Sequence, residues 1–307
     1  MSSWPGARSD AGLSRRAFLA LMAASTAAGG AGASETPILR AIPSSKETLP
    51  VIGLGTWQTF DVADGATRGP LRHVLRRFAE VGGRVVDSSP MYGRAECVVG
   101  DLAAELGLRD TLFVATKVWT SGRDAGIVQM EESRRRLRTP RLDLMQVHNL
   151  VDWRTHLRTL AEWKRAGRVR HVGVTHYTVS AYPDLEQVMK SEPLDFVQLN
   201  YSVAEREAER RLLPLAIDRG LAVLVNRPFA EGALFRRVRG QALPPWAAEA
   251  GCRTWAQLFL KWIVAHPAVT CVIPATSRPD HLEDNMQAGV GRVPDAALRD
   301  RIAKLVG

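Results

Sequence analysis

Four side chains able to move a proton or hold a charge stand between residues 87 and 148: Asp87, Tyr92, Lys117 and His148. Asp87 and Tyr92 share the stretch Asp87-Ser88-Ser89-Pro90-Met91-Tyr92-Gly93, Lys117 follows Ala115-Thr116, and His148 follows Met145-Gln146-Val147. Each alone has an ordinary structural explanation. An Asp ending an apolar run caps a helix or turn, a Tyr among Pro and Gly lids an apolar surface, a Lys is solvated, and a His is a hydrogen-bonded core residue. Lysine is scarce in this arginine-rich chain, however, and the four together form a device for placing a proton on a carbonyl oxygen. A phenol with a pKa of about 10 is a poor acid at neutral pH. A neighbouring ammonium lowers that value, and a carboxylate keeps the ammonium charged and oriented. A histidine then donates a hydrogen bond to the oxygen on which negative charge develops.

Such a set works only if the backbone brings its members to one point. Between residues 34 and 307, short β-branched runs alternate with stretches of helical period. Strands are predicted at 51–54, 84–87, 112–115, 142–147, 169–174, 196–199, 221–225 and 269–273. Helices are predicted at 70–81, 95–106, 126–137, 155–164, 181–190, 205–218 and 254–265, with 279–288 and 294–305 after the last strand. Near-continuous apolar strands such as 142–147 suit a sheet buried on both faces. Parallel strands joined by right-handed helical crossovers close naturally at eight units. The pattern predicts an α/β fold, a single-domain (β/α)8 TIM barrel, with an open doubly wound sheet as the alternative. Gly53-Leu54-Gly55-Thr56-Trp57-Gln58 begins like a dinucleotide fingerprint, but Gln58 stands where its third glycine belongs and no helical pattern follows at once. In a barrel the carboxyl ends of the strands open onto one mouth, and Asp87, Lys117 and His148 each fall at such an end.

With 46% hydrophobic and 24% charged residues over 307, the chain is neither a long disordered segment, a coiled coil nor a polytopic membrane protein. Three well-separated cysteines give no disulfide framework. The net charge of +9 comes from basic residues mixed with acidic ones, as in Glu131-Glu132-Ser133-Arg134-Arg135-Arg136, a solvated helix face rather than a nucleic-acid surface. No metal site is expected, because the seven histidines include no H-E-x-x-H or clustered His/Asp set. Residues 1–33 read as an address. Ser14-Arg15-Arg16-Ala17-Phe18-Leu19 precedes a weakly apolar stretch ending in Ala31-Gly32-Ala33, and this resembles a twin-arginine signal peptide. That stretch is too short and too weakly apolar to span a membrane stably. The resemblance implies export machinery engaging residues 14–19, a barrel domain of residues 34–307, and a periplasmic or otherwise extracytoplasmic location.

The mature region resembles the aldo-keto reductases along essentially its whole length. The segments that carry the likeness are Gly53-Leu54-Gly55-Thr56-Trp57, the stretch from Asp87 to Glu96, Thr116-Lys117, Gln146-Val147-His148, the stretch from Gly167 to Val174, Gln198-Leu199-Asn200-Tyr201 and Val272-Ile273-Pro274. The family implies a nicotinamide cofactor extended across the barrel mouth, and hydride transfer to a carbonyl carbon while Tyr92 protonates the oxygen. Asp87 and Lys117 would tune Tyr92, and His148 would orient the carbonyl. By the same resemblance the cofactor would meet Gly55, Thr56, Trp57, Thr175, His176, Gln198, Asn226, Arg227, Pro228, Phe229, Thr276, Ser277, Arg278 and Asn285.

Several of these positions depart from the family. Thr175-His176 replaces a Ser-Asn pair, Asn226 stands where an aromatic residue usually stacks, and Ala275 and His281 replace two basic residues. Arg278, with the hydroxyls of Thr276 and Ser277, is then left to receive a 2′-phosphate, which favours NADP(H) with NAD(H) possible. Trp57 and Trp119 are expected to line the pocket for a small-molecule carbonyl substrate. The alternative is an exported nicotinamide-cofactor-binding barrel that senses or regulates with little turnover.

Overall fold

The apolar runs become the staves of a barrel. The computed structural model describes residues 36–306; the expected address and the boundary at residue 33 lie outside the described residues. A hairpin of β1 (Leu39–Ala41) and β2 (Thr48–Pro50) comes first. Eight parallel strands follow: β3 (Leu54–Gly55), β4 (Val85–Asp87), β5 (Phe113–Val118), β6 (Leu142–His148), β7 (Val169–Thr175), β8 (Phe196–Asn200), β9 (Ala222–Asn226) and β10 (Val269–Val272). They pair in chain order, and single parallel bridges Ile52–Val272 and Gly55–Ala275 join the last strand to the first. The fold is therefore the expected (β/α)8 barrel.

Helices α1 (Gly69–Glu80), α2 (Ala95–Glu105), α3 (Arg123–Arg136), α4 (Trp153–Arg165), α5 (Tyr182–Ser191) and α6 (Leu212–Asp218) each follow one strand, from β3 to β8. After β9 come α7 (Ala233–Arg237) and α8 (Trp255–Val264), and after β10 come α9 (Pro279–Gln287) and α10 (Ala296–Ala303). Their apolar faces, such as Leu71, Val74, Leu75 and Phe78 of α1, pack on the outside of the sheet. Among the described residues no helix is long and apolar enough to cross a membrane.

Inside the sheet lies a second, smaller apolar cluster that includes Val85, Phe113, Ala115, Leu144, Phe196, Leu224 and Cys271. Ile42 and Leu49, from the hairpin, belong to it and close the lumen from below. Successive strand residues alternate faces. The residues two places beyond Val85, Ala115, Leu144, Phe196 and Leu224 therefore face the same lumen nearer the mouth. These are Asp87, Lys117, Gln146, Gln198 and Asn226: the column turns from apolar to polar as it rises.

Two local expectations are corrected, and one element is added. The first barrel strand is shorter than 51–54, because its seam to β10 uses single contacts: Gly53 N–H to Val272 O at 2.8 Å and Gly55 N–H to Pro274 O at 3.0 Å. The helix expected over 205–218 is a 3-10 turn, Glu207–Arg210, followed by α6. Pro214 explains the break, since proline is tolerated only in the first turn of a helix. The hairpin below the barrel was not anticipated.

Candidate active site

Four strand ends build the site. Lys117, on β5, is completely buried. Its Nζ donates to Asp87 Oδ2 at 2.5 Å and to the Ser88 carbonyl at 2.7 Å. The other oxygen of Asp87 accepts from Gln198 Nε2 at 2.9 Å and Gln146 Nε2 at 3.1 Å. A buried ion pair is stable only when its remaining lone pairs and protons are also satisfied, and these two amides meet that condition for Asp87. Tyr92 arrives from the loop after β4, where a turn closed by Tyr92 N–H to Ser89 O at 3.0 Å carries it over the pair. The ammonium lies 5.0 Å from the centroid of the Tyr92 ring, and its charge acts on the phenol. His148, at the end of β6, meets Tyr92 edge-on with ring centroids 5.9 Å apart. Asp87, Tyr92, Lys117 and His148 thus converge as expected. Gln146, read from the sequence only as part of the resemblance, belongs to the same network, and the alternation of inward positions along β6 is the signal that finds it.

Electrostatics refine the expected roles and correct one of them. Burial is the largest influence and opposes the charge on Lys117, but Asp87 and Tyr92 together outweigh it and the net pKa is raised, so the ammonium stays charged. Tyr92 does not follow the expected lowering. Burial is the largest influence and pushes its pKa above the ordinary value, against the pull of Lys117. The phenol is therefore held in its protonated form. His148 is lowered to about 2, by burial first and then by the charges of Lys117 and His176. Its imidazole is neutral throughout the physiological range.

The expected cofactor residues divide into groups. Thr175 and Gln198 belong to the polar column, Thr175 Oγ1 donating to Gln198 Oε1 at 3.1 Å. His176 Nδ1 accepts from the backbone N–H groups of Tyr177 and Thr178 at 3.0 and 3.2 Å, which fixes the ring at the start of the following turn. Asn226 Oδ1 is buried without a partner. Arg227 donates to Tyr177 O at 2.9 Å. Gly55 ends β3, and the Thr56 hydroxyl is held within the scaffold by Asp87 O and Ser88 Oγ, both at 3.0 Å. Pro228 precedes Phe229, whose ring packs on Phe235 with centroids 4.8 Å apart. Just past β10, Thr276 Oγ1 accepts from Arg278 N–H at 3.1 Å, Ser277 is exposed, and Asn285 is buried on α9. Arg278 forms a two-point pair with Asp280 at 3.0 and 2.5 Å. Trp57 and Trp119 are both exposed. Trp119 lies 6.4 Å from His148 between ring centroids, and Gln129 holds its backbone N–H and carbonyl.

A closed parallel barrel thus carries a buried Asp–Lys pair beneath a tyrosine at its carboxyl rim. The sequence model described as Aldo/keto reductase family matches residues 51–300, and the chain belongs to that family. It is similar to methylglyoxal reductase YeaE of Escherichia coli, at 29% identity over 249 residues covering 79% of this chain and 86% of that protein. Among solved structures it resembles an aldo-keto reductase from Klebsiella pneumoniae in complex with NADPH (27% identity, TM-score 0.75, covering 88% and 95% of the two chains). It also resembles an aldo/keto reductase from the same organism in complex with NADP and acetate (28% identity, TM-score 0.73, covering 85% and 93%).

Proposed function

We propose that the chain is an NADP(H)-dependent oxidoreductase that reduces a small aldehyde or ketone to an alcohol, or runs the reverse, with Tyr92 as general acid and base. The observation that carries this reading is the buried Lys117 ammonium, 2.5 Å from Asp87 and 5.0 Å from the Tyr92 ring centroid. A phenol kept protonated by burial and backed by a fixed cation suits proton donation to an oxygen gaining negative charge.

The residues at the mouth fit a nicotinamide nucleotide. The unpartnered Asn226 Oδ1 and the half-buried His176 offer polar groups for its carboxamide, and Arg278 offers a cation for a 2′-phosphate. The nucleotide-bound Klebsiella relatives support the same cofactor. When bound, the reduced cofactor supplies hydride. His148 meets the carbonyl oxygen as a neutral hydrogen-bonding group, and Tyr92 gives that oxygen its phenolic proton. Lys117 then balances the phenolate left behind, while Asp87, steadied by Gln146 and Gln198, keeps the ammonium in place. In the reverse direction Tyr92 takes the alcohol proton.

Tyr92→Phe keeps the ring and removes only the acid. Turnover of NADPH with a small aldehyde should fall by roughly 10²- to 10⁴-fold, while NADPH binding, followed by protein fluorescence, stays near that of the parent. Full activity in the variant would remove Tyr92 from the reaction. A parent protein that completes one stoichiometric turnover and stops would instead indicate a cofactor-binding sensor.

A further inference from the structure

The turn that delivers Tyr92 also delivers a second group. Ser89 is fully buried, and its Oγ lies 3.0 Å from His148 Nδ1. A hydroxyl has one proton and two lone pairs, and a neutral imidazole carries its proton on one nitrogen while the other accepts. The neighbours of Ser89 Oγ decide the assignment. Met91 N–H donates to it at 3.4 Å, so that contact cannot take the hydroxyl proton. Among the described residues, His148 Nδ1 is the one acceptor hydrogen-bonded to this hydroxyl. If Nδ1 carried the imidazole proton instead, a buried hydroxyl hydrogen would be left unpaired, the costly outcome for a buried polar group.

We infer that Ser89 is a positioning residue that holds His148 with its proton on Nε2, committing the ring to donate a hydrogen bond to the substrate oxygen. The inference rests on the reductase reading of the site. His148 Nε2 makes no hydrogen bond to any described residue, so its N–H remains available to a substrate. The arrangement also divides the labour between the two candidate acids. His148 is neutral and commits its single proton to a hydrogen bond with the substrate oxygen, which leaves Tyr92 to transfer one. The same four-residue turn, Ser89 to Tyr92, therefore carries the acid at one end and sets the tautomer of its companion from the other. Pro90 assists, because the residue before a proline is held extended.

The test uses the full chain labelled with ¹⁵N-histidine, with His148 assigned by comparison with His148→Asn. In the parent, Nδ1 should give an acceptor-type nitrogen signal and Nε2 a proton-bearing one. Ser89→Ala should convert this to a mixed or reversed signature, lower kcat by roughly 10- to 100-fold as for other groups that orient a histidine, and raise KM for the aldehyde. Ser89→Thr, which keeps the hydroxyl, should restore both the signature and the rate. A proton found on Nδ1 in the parent would overturn the inference, as would parental kcat and signature in Ser89→Ala, or failure of Ser89→Thr to restore either. If Ser89→Ala does not fold, the parent spectrum alone decides. Should the parent protein fail to turn over NADPH with any small aldehyde, the reductase reading would fall while the nitrogen signature stayed as it was, so the two ideas fail separately.

Discussion

Replacing Lys117 with methionine removes the ammonium while nearly preserving the length of the side chain. Two effects follow, and they are separable. The Asp87 carboxylate keeps Gln146 and Gln198 as donors but loses its cation at 2.5 Å; breaking a buried pair from one side costs about 3–5 kcal/mol of stability. The double change Asp87→Asn/Lys117→Met leaves no orphan charge and should recover much of that loss in urea unfolding. The second effect is on the chemistry. At the 5.0 Å between Nζ and the Tyr92 ring centroid, an effective dielectric of about 20 gives about 3 kcal/mol of attraction between the ammonium and a phenolate, or roughly two powers of ten in rate. Steady-state reduction of a small aldehyde should therefore slow about 100-fold in both the single and the double variant, with NADPH binding retained. The pH profile supplies a signed check. With neutral Tyr92 as the proposed donor, reduction should fail as pH rises through its pKa. Loss of Lys117 raises that pKa further and moves the failure to higher pH. A Lys117→Met enzyme within about twofold of the parent kcat, with an unmoved profile, would refute the role given to the ammonium.

Two further outcomes are expected. Arg278→Ala should weaken NADPH by about tenfold in direct binding measurements and leave NADH nearly unchanged; the effect is limited because Asp280 already engages the guanidinium, and equal losses would show that Arg278 does not read the 2′-phosphate. Asp195, buried near the amino end of the barrel, accepts from Lys164 Nζ at 2.6 Å and Val172 N–H at 2.9 Å. Burial alone would raise its pKa, but the nearby His171, whose Nδ1 lies 4.0 Å away, and the hydrogen bonds from Lys164 and Val172 together hold it well below the carboxylate range. A depressed folded pKa means that its stabilisation is present above the unfolded carboxylate pKa and drains as pH falls through it. Asp195→Asn should lower stability at neutral pH and flatten the acid decline of unfolding free energy; an equally steep decline would dismiss Asp195 as its source.

Much of the scaffold was legible because most barrel strands are short runs rich in β-branched and apolar residues, and helices such as α1 and α4 carry a repeating apolar face. The β1–β2 hairpin and the 3-10 turn at Glu207–Arg210 escaped because elements of three or four residues are too short to show a period. Within the site, Asp87, Tyr92, Lys117 and His148 could be read from their places at strand ends. The bond from Gln198 to Asp87 could not, since it joins residues 111 apart in the chain and depends on which face of β8 turns inward. The direction of the Tyr92 shift was likewise hidden: the sequence shows the neighbouring charge, but desolvation is set by everything packed around the ring. The Arg278–Asp280 pair, by contrast, sits only two residues apart and was overlooked in favour of the phosphate.

The hairpin that corks the barrel has a consequence for turnover. With Ile42 and Leu49 stoppering the lumen below a solid apolar plug, water does not reach Tyr92 from underneath. On the proposed mechanism, the spent acid must then be recharged through the same aperture by which ligands come and go. Whatever covers that aperture also isolates the phenol from bulk water, so each catalytic cycle resets only when the lid of bound ligand lifts.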